Sequence, residues 1–552
     1  MRALRKMKAT FRAAAAAAGI SLVVAPGITT PVFAASRTAV PDTATPIEHV
    51  VVIFQENVSF DHYFATYPFA ANTDGTTFNP VDGTPSVNGL GTLIEGEPSG
   101  VLLSNNPNAG NPANGTSAIN PFRLSYSQAA TCDQDHNYGA EQSAFDLGLM
   151  DLFPATVGSG GCGFDYGHGT GIVMGYFDGN TVTALWNYAQ NFAMNDNSFG
   201  TTFGPSTPGV LNLVVGNTYP ATPSGSTPKV VNISSGHGTL VGDLDPTGDA
   251  CSAGVTIQMG GQNIGDLLTA QGVSWGSFMG GFDLTVTNPN GTTGCHRSSP
   301  AAPSNGGPAG DYIPHHAFFQ YHASTANPMH TRPSVAPSLY GTSADTGANH
   351  NYDIHDFFDA LKAGNLPAVS FIKAPAWGDG HAGYSDPILE QAFLVNTINA
   401  IMTSKFWKST AIIISYDDSD GWYDHQMNPI VNSSAVTSSN QSQYGDNLSG
   451  TGKCGNGAPV LKDATNTPIQ GRCGYGPRLP LLVISPFAKA NFVDHGLTDQ
   501  SSIIRFIEDN WGTGRIGGGS FDALAGPLTN MFDFSNKAWG ARRLILDPNT
   551  GD

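Results

Sequence analysis

One stretch constrains the fold more than any other: VVVIFQENVSFDHYF, residues 50–64. Its first five residues, Val50 to Phe54, are apolar and mostly β-branched, with no polar alternation. Such a run reads as a strand buried on both faces, as in a parallel sheet. Glu56 and Asn57 follow at its carboxyl end, the edge at which open α/β sheets bind ligands. A carboxylate beside an amide oxygen suits a hard metal cation. A strand that simply ends in polar turn residues is the alternative.

Similar units recur along the chain. Residues 411–415 (AIIIS) form a second buried strand, again ending in acid, Asp417-Asp418, and residues 388–403 before it read as a long helix. Strands are also predicted over 273–278, 368–372 and 481–485, and helices over 141–153, 180–192 (with Asn180 as N-cap), 264–270, 353–363 and 501–511. Residues 65–130 are rich in Gly, Asn, Pro and Thr and read as a long surface insertion, and residues 283–311 and 325–350 are again loop-like. Alternating strands and helices predict an α/β fold, a mostly parallel sheet with helices on both faces and long loop insertions. With no repeat or linker to divide it, residues 35–552 read as a single domain.

The first 34 residues read as a signal peptide. Arg2, Arg5, Lys6, Lys8 and Arg12 form a basic region, an apolar run follows through Val24, and Val32-Phe33-Ala34 suits cleavage before Ala35. The rest contains no apolar run long enough to span a bilayer, so the expectation is a secreted or periplasmic protein without a transmembrane segment. Loss of the leader's five basic residues takes the net charge from −19 to about −24. That excludes nucleic acid and anionic membranes as electrostatic partners. All six cysteines lie beyond the leader; an even count in an exported chain favours disulfides, and sequential pairing is the simplest of about fifteen connectivities.

Candidate chemistry centres on oxygen ligands. Adjacent Asp417 and Asp418 repel and are most comfortable beside a cation, and with Glu56 and Asn57 they make a set suited to Mg, Ca or Mn type ions. The turn residues Ser419-Asp420-Gly421 leave a plain solvated turn open. Ser206, in FGPSTPG before an apolar run, falls at a helix start, where amides and the helix dipole favour anions. It is either an N-cap or, beside a metal, a nucleophile. His136, His315, His316, His381 and His425 lie in polar loops, and two or three of them near a metal and a serine could serve phosphate chemistry. Gly272-Val273-Ser274-Trp275-Gly276 has the GxSxG pattern, but Ser274 falls within the expected strand rather than on a strand-to-helix turn.

ENVSFDHYF resembles the ENRSFDHYFG-type signature of the bacterial phosphoesterase family that contains phospholipases C and a secreted acid phosphatase. The resemblance continues through residues 175–216, where FGPSTPG is similar to the family's GPTxPNR segment. It returns in AIIISYDDSDGWYDH (411–425) and in residues 475–511. It implies an alkaline-phosphatase-like fold with one divalent metal held by Glu56, Asn57, Ser206, Asp417 and Asp418. Ser206 matches the nucleophile, and His136, His316 and His381 resemble the histidines that surround the phosphate. Val58 stands where the family often has arginine, and Gly209-Val210 replaces Asn-Arg.

The expectation is therefore a metal-dependent phosphoesterase acting on a small phosphate ester or a phospholipid head group. Acid phosphatase is the first reading and phospholipase C the second. An inactive exported binding protein and a Ser274 esterase are the rivals from other classes. Mass spectrometry of exported protein should find a chain starting near Ala35 and lighter by about six hydrogens than its reduced form; six thiols alkylated without reductant would contradict it.

Overall fold

The computed structural model describes residues 42–91, 101–299, 309–535 and 542–552; the expected leader lies outside them. An eight-stranded sheet organises the chain. Its strands are β1 (His49–Gln55), β2 (Ala193–Asn195), β3 (Trp275–Met279), β4 (Asn351–Asp353), β5 (Val369–Lys373), β6 (Thr410–Tyr416), β7 (Leu481–Ile484) and β8 (Phe492–Asp494). They lie in the order β4-β3-β5-β1-β6-β7-β2-β8. Only β7 runs antiparallel to its neighbours, β6 and β2. Every residue of β1 and β6 is buried, as their unbroken apolar sequences require. Their register is His49 on Thr410 through Gln55 on Tyr416.

The main helices are α1 (Phe60–Phe64), α2 (Tyr138–Phe145), α3 (Thr183–Asn191), α4 (Ser206–Val214), α5 (Ile264–Ala270), α6 (Ile354–Lys362), α7 (Pro387–Thr403) and α8 (Ser501–Trp511). Capping fixes several starts: Asn263 and Asp353 form capping boxes, and Asp386 accepts from the amides of Ile388 and Leu389. This is the α/β architecture expected, and three disulfides pair the cysteines sequentially: Cys132–Cys162, Cys251–Cys295 and Cys454–Cys473.

Three expectations need correction. The helix predicted over 141–153 ends at Phe145, because Asp146 (φ 38°) and Leu147 (φ 59°) turn the chain left-handed. Asn180 does not cap α3, which starts three residues later; its side chain bonds Asn72 and the carbonyl of Thr76 instead. The 65–130 insertion is not all surface, since Tyr67, Phe78 and Leu124 are buried in the core. A second sheet of five short strands within residues 221–259 was not predicted at all. Among the described residues, no helix is long and apolar enough to cross a membrane.

A buried polar layer fastens α1. His62 stacks on Trp422 at 3.9 Å between centroids, and its Nδ1 donates to the carbonyl of Gly175 at 2.8 Å. Burial pushes its pKa down to about 3. Between pH 6.5, its unperturbed value, and about 3 the unfolded chain takes a proton that the native chain refuses. Stability is therefore retained above that window and lost as pH falls through it. At about pH 4.5 the penalty from His62 is on the order of 2 kcal/mol. Denaturant melts at about pH 7 and pH 4.5 should show a smaller acid-induced loss in His62→Gln than in wild type.

Candidate active site

The β1–β6 register places Glu56 and Asn57 alongside Asp417 and Asp418, just past two neighbouring strand ends. The pairs are joined through the backbone, since the amide of Asn57 donates to Asp417 Oδ1 at 3.1 Å. Ser206 is the first residue of α4. Its Oγ lies 3.1 Å from Glu56 Oε2 and 3.2 Å from Asp418 Oδ2, with both carboxylates buried. The five residues of the expected ligand set thus meet at one point.

The histidines converge on the same point. His316 Nδ1 lies 3.0 Å from Glu56 Oε1. His136 Nε2 and His381 Nε2 face the side-chain amide of Asn57 at 3.4 and 3.1 Å. His315 stands further out, its nearest carboxylate Asp245 at 3.6 Å. His425 belongs to a different cluster, bonded to Asp61 at 2.6 Å. Ser274 precedes β3 and accepts from the amide of Ala368, with no helix after it to form a nucleophile elbow.

Electrostatics mark the cage as crowded with negative charge. Burial, then the neighbouring Asp417, raise the Glu56 pKa well above the carboxylate range, against the pull of Lys373. Burial likewise raises Asp418, with His136 opposing and Asp417 adding to it. Burial disfavours charge on His136, but Asp418 and the hydrogen-bonded Asp420 outweigh it and hold its pKa well above the usual value. Burial lowers His381 and, more strongly, His316.

The donor set fits a hard divalent ion. Glu56 Oε2 and Asp418 Oδ2 both turn toward Ser206 Oγ, and Asp417 Oδ2 is buried without a hydrogen-bond partner. Oxygens turned toward one another in this way are the arrangement of ligands about a cation. Asn57 adopts φ 55°, a left-handed conformation that asparagine tolerates better than most residues.

Three further residues escaped the sequence reading. Glu141 Oε2 accepts from the amide of Gly204 (2.9 Å) and Oε1 from the hydroxyl of Ser419 (2.7 Å). It thereby ties the turn before Ser206 to the turn after Asp418, and burial pushes its pKa up to about 7. Lys373, the last residue of β5, is buried against Glu56. Asp243 takes the Thr207 amide at 2.8 Å, so one of the helix-start amides expected to face an anion is already occupied. A charged residue closing an apolar run, as Lys373 does in VSFIK, was the readable signal; Glu141 and Asp243 gave none.

Against this geometry stand the comparisons with known proteins. Residues 47–514 match the Phosphoesterase family, and the chain belongs to it. A non-hemolytic phospholipase C of Pseudomonas aeruginosa is 25% identical over 505 residues, covering 89% of this chain and 58% of the relative. One from Burkholderia pseudomallei is 26% identical over 517 residues, covering 90% and 60%. Phospholipase C B of Mycobacterium tuberculosis is 22% identical, covering 90% and 79%. The chain therefore spans less than two thirds of the length of the first two. Similar solved structures include a protein of the alkaline phosphatase superfamily from Vibrio parahaemolyticus (TM-score 0.26, 12% identity, 70% of each chain). Another is murine ectonucleotide pyrophosphatase / phosphodiesterase 5 (TM-score 0.31, 11% identity, 64% of this chain and 95% of that one).

Gly209 sets how closely α4 approaches Asp417. A Cβ there would stand 2.3 Å from the Asp417 carbonyl oxygen and 2.7 Å from its carbon, backbone that cannot yield cheaply. Gly209→Ala should cost about 1–3 kcal/mol and, by displacing Ser206, reduce turnover about tenfold or more. Melting curves and steady-state rates on the same preparation check both.

Proposed function

We propose that this protein is an exported, metal-dependent hydrolase of phosphate esters with Ser206 as nucleophile. One observation carries the reading: a serine hydroxyl at a helix start lies 3.1 and 3.2 Å from two buried carboxylates of an oxygen cage. Glu56, Asn57, Ser206, Asp417 and Asp418 would hold one divalent ion. When bound, the ion lowers the serine pKa and draws charge from the phosphoryl oxygens. Glu56 Oε2 and Asp418 Oδ2 accept the serine hydrogen bond and point its oxygen into the cage. Ser206 Oγ attacks phosphorus, the ester oxygen leaves, and water then cleaves the phosphoserine to release phosphate and restore the hydroxyl. His136, held protonated beside Asp420, can donate to the phosphoryl oxygens or to the leaving oxygen, with His316 and His381 beside it.

The first substrate reading is a soluble phosphomonoester. Ser206 matches the serine of the acid phosphatase rather than the threonine common among the phospholipases, and the chain's net charge of −19 disfavours anionic lipid surfaces. A monoester also brings more negative charge to a cationic site than a choline diester does. The second reading, phospholipase C, is favoured by the names of the relatives. Hydrolysis of p-nitrophenyl phosphate against p-nitrophenyl phosphorylcholine, with and without chelator, separates the two. A higher kcat/KM for the monoester and loss of both activities on chelation are expected; a higher value for the diester reverses the order. Ser206→Ala should lower turnover by roughly 10³-fold or more with metal-bound protein still folded, while Ser274→Ala should stay within about threefold. Equal rates for wild type and Ser206→Ala would remove the mechanism.

A further inference from the structure

Beside the Ser206 cage stands a second set of donors. Glu56, His316 and Asp379, all buried, each offer a ligand atom, and these atoms lie within 4.8 Å of one another. Two carboxylates and an imidazole in that compass would suit a divalent ion. An ammonium already stands there. Lys373 Nζ contacts Glu56 Oε1 and lies 3.9 Å from Asp417 Oδ2, the oxygen left without a hydrogen bond. It sits over the ring of Phe54, 5.5 Å from the centroid, and almost none of its surface reaches solvent. Lysine carries a long flexible stem and a compact charge, so it can reach such a place from a neighbouring strand; β5 pairs with β1 as far as Ile53 on Ile372, one residue short of Lys373.

Glu56 is shared between the two places. Its Oε2 faces Ser206 and its Oε1 faces Lys373 and His316. Resting on the metal-dependent reading of the Ser206 site, we propose that Lys373 is a fixed second cation, filling a place where Glu56, His316 and Asp379 would otherwise take a second divalent ion. It is a positioning residue, acting on the reaction through Glu56 and Asp417. It confines the site to one exchangeable ion and leaves Glu56 Oε2 free for the nucleophile. It also adds a permanent positive charge close to where a phosphate dianion must settle.

Two substitutions separate these effects. Lys373→Ala opens the space; Lys373→Met keeps most of the volume and removes only the charge. After dialysis of each folded protein against magnesium, calcium, manganese or zinc salts in turn, inductively coupled plasma mass spectrometry counts ions per chain. Lys373→Ala should hold one divalent ion more than wild type. Lys373→Met should hold the wild-type number but bind inorganic phosphate about tenfold or more weakly by calorimetry. An alanine variant with no extra ion overturns the proposal, and so does a methionine variant with unchanged phosphate affinity. If the alanine variant does not fold, the methionine measurement decides. If wild type holds no divalent ion and Lys373→Ala holds one, Lys373 keeps its role and the metal reading of the Ser206 cage falls.

Discussion

The register between β1 and β6 is the constraint on which everything else depends. Two parallel strands, both buried throughout, end at the same height, and each delivers acidic residues into the same small volume. A slip of one residue would turn Glu56 and Asp417 toward opposite faces of the sheet, since side chains alternate with a period of two. Held in register, the carboxylates repel, and burial makes the repulsion expensive. The surrounding structure offsets that cost: amides of Asn57 and Asp418 on Asp417, imidazoles of His136 and His316, and the ammonium of Lys373.

The same device occurs a short distance along the sequence. Asp61 and Asp424 are buried together, and Arg478 donates to both at 3.0 Å with its guanidinium over the ring of Phe60. Removing one partner from such a group typically costs about 3–5 kcal/mol, because the other charges remain buried. Asp61 and Asp424 come from the two segments that also carry the site residues, FDHYF after Glu56-Asn57 and GWYDH after Asp417-Asp418. The Arg478 cluster therefore clamps the two segments beyond the cage.

Much of this was legible in the sequence because strong signals are local. Unbroken apolar runs marked β1, β6 and β7 within a residue or two, α5 and α8 matched the residues expected, and Ser206 fell at a helix start. The misses have physical causes. Two consecutive left-handed residues, Asp146 and Leu147, stop a helix that periodicity would have continued. The sheet within residues 221–259 is built from strands of two to five residues, too short for any alternation to register. Glu141 looked like one polar position on a helix; its significance lies wholly in what two distant turns place beside it.

That placement of Glu141 has a consequence for how the site does its work. One rigid carboxylate, with one oxygen on the Gly204 amide and the other on the Ser419 hydroxyl, makes the turn before Ser206 and the acidic turn parts of one body. The spacing between Ser206 and Asp418 is then a property of the folded chain rather than something a substrate must impose. Under the proposed mechanism, the entropy of bringing Ser206 and the carboxylates together has been spent during folding, so less of a substrate's binding energy would be consumed in assembling the site.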